Sequence, residues 1–529
     1  MRFDRFRPDR RHRLRQATAL GASLTLALGL GGCELGPNFH NPHPRTAASF
    51  LANRPALTAP DTVSQGKVDL AWWNSFGDPS LTSLEHDAIA QNLDVRIATQ
   101  RLAEAQAQAE IEGAALYPNL DFAGSFTREG PSKKGVFTAL GGSGSNTSTS
   151  TNAGQTANGA GGTSGGGGIP GSAIRPFNLF QYGFSSVFDF DLWGKNRRAL
   201  EAALAAAQAS GDARRAVLLN TEAEVAQDYI DLRAEQTVLA ITRDNLASAN
   251  HIAGLTAERE QAGLANALDV ADARAQAASV KSQIPALRTR IDYLINQLSL
   301  LLGRGPEALR AELIAPGAVP PVPPVVPIGL PSQLLQRRPD IREASAKLHE
   351  ATAEIGVAKA DFFPDLSLSG SVSLQALQFS NLNQLAAVTY AIGPQITMPI
   401  FEGGKLNGQL HLRKAEQKQA AITYAKTVLT AFHQVDNALT AYDQEQNTLA
   451  ALKTDVAESK RALGLAQQRY REGLADYLQV LTAQQSELRA TQSEAQSLAK
   501  ISTDLVTLYQ ALGGGWEQTY PAKTTVAAR

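Results

Sequence analysis

The chain is predicted to be a mixed α and β membrane protein built as a tandem duplication. Three observations predict this: four short stretches alternate polar and apolar residues with period 2, long helical stretches repeat every seven residues, and the second half repeats the first. In the first alternating stretch Leu120, Phe122, Gly124 and Phe126 share one face, while Asn119, Asp121, Ser125 and Thr127 share the other. The second sets Phe180, Tyr182, Phe184, Phe188 and Phe190 against Gln181, Ser185, Asp189 and Asp191. The third sets Leu366, Leu368, Val372 and Leu374 against Asp365, Ser367, Ser369, Ser371, Ser373 and Gln375, and the fourth sets Tyr390, Ile392, Ile396, Met398 and Ile400 against Thr389, Gln395 and Thr397. Each run is about the ~9–11 residues that a tilted strand needs to cross a bilayer. An apolar side this aromatic and continuous suits a strand with lipid on one face and water on the other.

Before the strands comes a leader. Arg2, Arg5, Arg7, Arg10, Arg11, Arg13 and Arg15 precede an apolar run from Ala17 to Leu30, which reads as a signal peptide over residues 1–32. It ends in Leu30-Gly31-Gly32-Cys33, and Cys33 is the only cysteine of the chain, so no disulfide can form within it. The LGGC stretch resembles the lipobox of bacterial lipoproteins, which implies cleavage before Cys33 and a covalent lipid, palmitate included, on that residue. Glu34 in place of Asp favours the outer membrane by resemblance to the lipoprotein sorting rule. Residues 33–80 are then an extended, lipid-anchored segment. Removing the leader takes seven of 49 basic and two of 50 acidic residues, leaving 42 against 48 and a net charge of −6. A nucleic acid partner is not expected.

The duplication organises the rest. At an offset of 246, Asp94, Arg96, Glu104, Pro118, Leu120, Gly124 and Ser125 meet Asp340, Arg342, Glu350, Pro364, Leu366, Gly370 and Ser371. Further on the offset is 210: Gly194-Lys195 meets Gly404-Lys405, and the pattern RxxxGLAxxLxV at 259–270 recurs at 469–480. The 36 residues by which the offsets differ fall between the strands of the first half, in a Gly/Ser/Thr/Asn tract at 140–172 whose composition buries no core. Such a loop belongs in water, at the extracellular end of a barrel. The first repeat covers 81–314, with strands at about 118–128 and 178–192, and the second covers 332–512, with strands at about 365–376 and 389–400. A proline-rich connector at 315–331 joins them, and 513–529 form a tail.

Helices are expected at roughly 81–116, 195–260, 264–302, 332–362, 405–470 and 474–512. The two long ones, if continuous, reach roughly 100 Å at 1.5 Å per residue. Leu218, Val225, Leu232, Leu239 and Leu246 make a seven-residue seam, matched by Val428, Val435, Tyr442, Leu449 and Val456. Sustained heptads mean coiled-coil packing against neighbouring helices.

Four strands cannot close a barrel in lipid, where every backbone polar group needs a partner and small natural barrels use ~8 strands. More than one copy must contribute. Two copies give eight strands and a filled interior, three give twelve and room for water. The serines of the polar faces (Ser185, Ser367, Ser369, Ser371, Ser373) suit a hydrated lumen.

The motif order resembles that of outer-membrane factors of the TolC and OprM type, in the NodT-like lipoprotein branch serving resistance-nodulation-division (RND) efflux pumps. It is carried by CELGPNFHNP at 33–42, DLAWWNSFGDPSLTSL at 69–84, YP and FP before the odd-numbered strands, DLWGK at 191–195 and the two GLA tips. The resemblance implies a homotrimer with a 12-stranded β-barrel continued by a periplasmic α-helical barrel. It also implies docking of a periplasmic adaptor (membrane fusion protein) at Gly263, Leu264, Ala265, Gly473, Leu474 and Ala475, and energy from an inner-membrane RND transporter. Gate residues expected by the same resemblance are Asp269, Tyr470, Gln479 and Thr482. The last two replace acids of TolC, so a strongly cation-selective ring is not implied. Transport would be a passive efflux of drugs or other small toxic compounds.

No metal-ligand spacing joins the eight histidines, and neither a phosphate-binding loop nor a nucleophile elbow is present, so neither an enzyme nor a resident cofactor is expected. Trp72 and Trp73 read as packing anchors. Two other readings remain open from the sequence: a duct for type I protein secretion, and a structural coiled-coil lipoprotein without a channel.

Overall fold

The computed structural model describes residues 34–42, 44, 50, 63–64, 66, 69–130 and 176–520. The signal peptide, Cys33 and the tract at 140–172 lie outside the described residues. The chain divides into two compact units, one built from Gly113–Arg197 and Ala360–Gly403, the other from Gly36–Glu112, Arg198–Lys359 and Gly404–Arg529.

The first unit is a sheet. Strands β1 (Asp121–Glu129), β2 (Phe177–Asp189), β3 (Asp365–Ala376) and β4 (Val388–Thr397) pair in the order β1-β2-β3-β4, antiparallel throughout. The register aligns the alternation across all four: Phe122 lies opposite Phe184, then Val372, then Tyr390, while Asp121 lies opposite Ser185, then Ser371, then Ala391. A slip of one residue would exchange the two faces. Aromatic pairs pin that register, with ring centroids 5.2 Å apart for Phe122–Phe184 and 4.7 Å for Phe126–Phe180. Each such pair contributes roughly 0.2–1 kcal/mol.

Two strands stop before their alternation does. β2 ends at Asp189 because Asp191 turns to φ 44°, and its carboxylate accepts the backbone N–H groups of Asn196 at 2.9 Å and Arg197 at 3.1 Å. Asp191 therefore serves the start of the next helix. β4 ends at Thr397, and Pro399 has no N–H to extend the ladder. Among the described residues β1 and β4 are the edges of this sheet, each paired on one side.

The second unit is helical: α1 (Pro79–Gln91), α2 (Leu93–Ala114), α3 (Lys195–Gln261), α4 (Ala267–Leu301), α5 (Pro339–Ala360), α6 (Lys405–Arg471) and α7 (Tyr477–Leu512). The single helices expected at 81–116 and 332–362 are each broken, at Asn92 (ψ 131°) and Arg338 (ψ 120°). At Arg338 the following Pro339 disfavours helical backbone. At Asn92 the side chain does the work: its Oδ1 accepts the N–H of Val95 at 2.9 Å and its Nδ2 donates to the carbonyl of Leu301 at 2.8 Å. Arg338 Nη1 donates to the carbonyl of Ala511 at 2.9 Å. The breaks are 246 residues apart and the two carbonyls 210, so both repeats tie the break to the end of their last helix with different side chains.

The heptad seam is inside. Leu218, Val225, Leu232, Leu239, Val428, Val435, Tyr442 and Val456 are buried, and Leu246 and Leu449 half-buried. The largest core gathers α1, the middles of α3 and α6, the ends of α4 and α7, and the linker residues Val326 and Ile328 around Trp72, Trp73 and Phe76. Both tryptophans are fully buried, and Trp72 stacks on Tyr509 at 5.5 Å. The linker is held by its backbone, Arg233 donating to Ala315 O at 2.8 Å and Ser502 to Pro320 O at 3.0 Å.

Candidate functional site

The α3–α4 and α6–α7 reversals are the candidate docking and gating site. Each long helix stops in the same way. Gly263 (φ 72°) and Gly473 (φ 75°) adopt the left-handed conformation after the last turn. Leu264 N–H reaches back to Arg259 O at 2.8 Å and Gly263 N–H to Glu260 O at 2.8 Å; Leu474 and Gly473 repeat this on Arg469 O and Tyr470 O at 2.8 and 3.1 Å. This is the two-bond C-terminal cap that a glycine makes possible. At Gly263 a side chain would meet no neighbouring atom, so backbone angle, not space, demands the glycine.

The next helices start with matched caps. Asn266 Oδ1 accepts Asp269 N–H at 2.8 Å and Asp269 Oδ2 accepts Asn266 N–H at 3.4 Å, a reciprocal capping box. At the second tip Asp476 accepts Gln479 N–H at 3.2 Å. Between glycine and cap, Leu264 and Leu474 are left 67% and 64% exposed, apolar residues presented outward at equivalent points of both tips.

The expected gate residues divide. Tyr470 is buried, its hydroxyl donating to Thr256 Oγ1 at 3.3 Å and its ring edge-on to Tyr477 at 6.1 Å. Asp269 is half-buried in its cap, while Gln479 and Thr482 are exposed, Thr482 donating to Leu478 O at 2.8 Å. Burial, with Asp272, Tyr470 and Asp269 nearby, pushes the Tyr477 hydroxyl up to about 12, so it stays a neutral donor.

Arg259 joins the two tips, and the sequence pattern that contains it gives no hint of its partner. Its Nη1 donates to the carbonyls of Tyr470 at 2.9 Å and Arg471 at 3.2 Å, and its guanidinium lies 4.8 Å from the Tyr470 ring centroid. A cation thereby sits on the last carbonyls of α6, where the helix dipole favours positive charge. Ile252, Ala273, Tyr470, Tyr477 and Val480 form a small apolar cluster beneath it.

The outer membrane efflux protein family matches this chain over residues 84–304 and 330–514, one match to each repeat. The chain is 31% identical over 503 residues to nodulation protein T of Rhizobium leguminosarum bv. trifolii, covering 93% of this chain and 96% of that one. It is 31% identical over 498 residues to the toluene efflux pump outer membrane protein TtgC of Pseudomonas putida, covering 93% and 94%. The solved structure of the outer-membrane channel OprN superposes with a TM-score of 0.80 at 29% identity, over 92% of this chain and all of that one. With both repeats matched and relatives 31% identical over more than nine-tenths of each chain, the chain belongs to the outer membrane efflux protein family.

Proposed function

We propose that the protein is the outer-membrane exit duct of a tripartite efflux pump. The observation that carries this is the sheet: four strands with a continuous apolar face, Tyr390 on it 80% exposed, and two edges that lipid cannot satisfy. Three copies closing a 12-stranded barrel cover those edges and leave a polar lumen. The lipid on Cys33 adds an anchor, and cargo moves passively, so the protein catalyses nothing.

The exposed Leu264 and Leu474, flanked by Gly263, Ala265, Gly473 and Ala475, are the points on which a periplasmic adaptor docks. An inner-membrane RND transporter supplies energy and chooses the cargo, drugs or other small toxic compounds. Polar contacts of Asp269 and Tyr470 hold the entrance shut, with Gln479 and Thr482 beside them, until the adaptor spreads the tips.

The test is conductance of the detergent-purified mature protein in planar bilayers, with its mass measured in the same detergent. A trimer with discrete channel events is expected. A monomer without conductance would make the structural coiled-coil lipoprotein the better account. In the trimer, joint replacement of Asp269 and Tyr470 by Ala is expected to raise single-channel conductance; no change would remove them from the gate.

A further inference from the structure

Two glutamates are sealed in the helical core without a counter-charge. Glu85 on α1 and Glu222 on α3 are both 0% exposed, and neither oxygen of either carboxyl has a hydrogen-bond partner among the described residues. The same helices and the segment before α1 contribute Trp72, Trp73, Leu84, Ala88 and Ala226 to the largest apolar core. Gly515 lies against Glu222 so closely that a Cβ there would collide with Glu222 Oε2 while standing 3.3 Å from Trp72 Nε1.

The charged groups facing this pair make ionisation harder. Glu222 opposes Glu85, and Glu517 of the C-terminal tail opposes Glu222. Arg337 pairs with Glu517 through Nε and Oε1 at 3.1 Å, and its Nη2 is buried without a hydrogen-bond partner among the described residues. In the same core the Tyr229 hydroxyl donates to Asp78 Oδ2 at 2.8 Å and the Tyr509 ring stacks on Trp72. Burial first, then the neighbouring acid, pushes both carboxyls well above the ordinary glutamate range.

The duplication supplies an independent control. The residue 246 after Glu85 is Pro331, which is buried, and the residue 210 after Glu222 is Phe432, which packs on the same core. The second repeat thus fills the corresponding places with apolar side chains. A carboxyl suits such a place only when uncharged.

We propose that Glu85 and Glu222 are buried proton-binding groups: both carboxyls are neutral in the folded protein, and uncharged they allow α1 with the Trp72–Trp73 segment to be fastened to α3. When a proton leaves to solvent, a charge remains in the apolar core beside Glu517, and this fastening loosens. The stability involved is complete below the ordinary glutamate value of about 4.3 and is lost as pH rises through the raised value in the folded protein.

Infrared spectra of the detergent-purified protein at about pH 8 test this directly, because ordinary carboxyls are ionised there. A carbonyl stretch from protonated carboxyl groups is expected, and Glu85→Gln with Glu222→Gln should abolish it. The wild-type thermal midpoint should also fall between about pH 5 and about pH 8, more steeply than that of the isosteric double variant. Absence of the band in the wild type overturns the proposal, even if the variant does not fold. So does an equal pH slope in the two proteins.

Discussion

Arg259 is the residue on which the two tips of one chain depend. Its guanidinium makes two bonds to carbonyls at the end of α6 and covers the Tyr470 ring. Hydrogen bonds from a charged donor contribute roughly 1.5–3 kcal/mol. Arg259→Ala is therefore expected to cost a few kcal/mol locally and to raise conductance, whereas Arg469→Ala, at the matching place in the second tip, should do less. Arg469 is exposed, and among the described residues its side chain reaches Leu474 O at 3.5 Å. Single-channel recordings of both variants check this, and equal effects would contradict it. The tip glycines were legible in the sequence, in the pattern repeated at 259–270 and 469–480, whereas the caps at Asn266 and Asp476 come from the structure. Nor was Arg259 legible: it stands in a readable repeat, but its partners are more than 200 positions away.

At the scale of elements, the heptads gave the buried stripe of α3 and α6 directly. Leu232 is fully buried while Leu246 on the same stripe is half-buried. Leu232→Ala is expected to cost roughly 2–5 kcal/mol, and Leu246→Ala less, read as thermal midpoints in detergent. The acids of α3 carry a further expectation. Burial, then Glu224 and Asp231, raise the Asp228 carboxyl to about 6. The folded value lies above the unfolded one, so stability falls as pH rises from about 4 towards 6. Asp228→Asn should flatten that fall and raise the midpoint at neutral pH, measured by thermal melts across this range. The breaks at Asn92 and Arg338 were harder to read. Pro339 announces the second, but the first rests on a bond from Asn92 to Leu301, a contact only the folded chain creates.

At the scale of the molecule, parity along the strands is the strongest constraint. Phe184 and Ser185 are adjacent, yet the register sends them to opposite faces of the sheet. Phe184→Arg, on the lipid side, is expected to cost roughly 2–4 kcal/mol near the bilayer midplane and to reduce the amount assembled in the membrane. Ser185→Arg should assemble and shift ion selectivity instead. Membrane fractionation followed by conductance of both variants distinguishes the faces, and a reversed outcome would refute the register. Strand alternation and the duplication made this layout legible from sequence, because both are periodic. The ends of β2 and β4 were not, since Asp191 and Pro399 act through backbone geometry that alternation does not report.

One measure is common to both repeats. α3 and α6 are each 67 residues long, and Gly194 to Gly263 spans the same 69 positions as Gly404 to Gly473. The first repeat absorbs 36 additional residues between its strands, yet these arms differ by none. Each residue added to one arm would carry its tip about 1.5 Å beyond the other. The arms behave as a matched pair of callipers, in which length is the inherited quantity and side chains are free to vary along it.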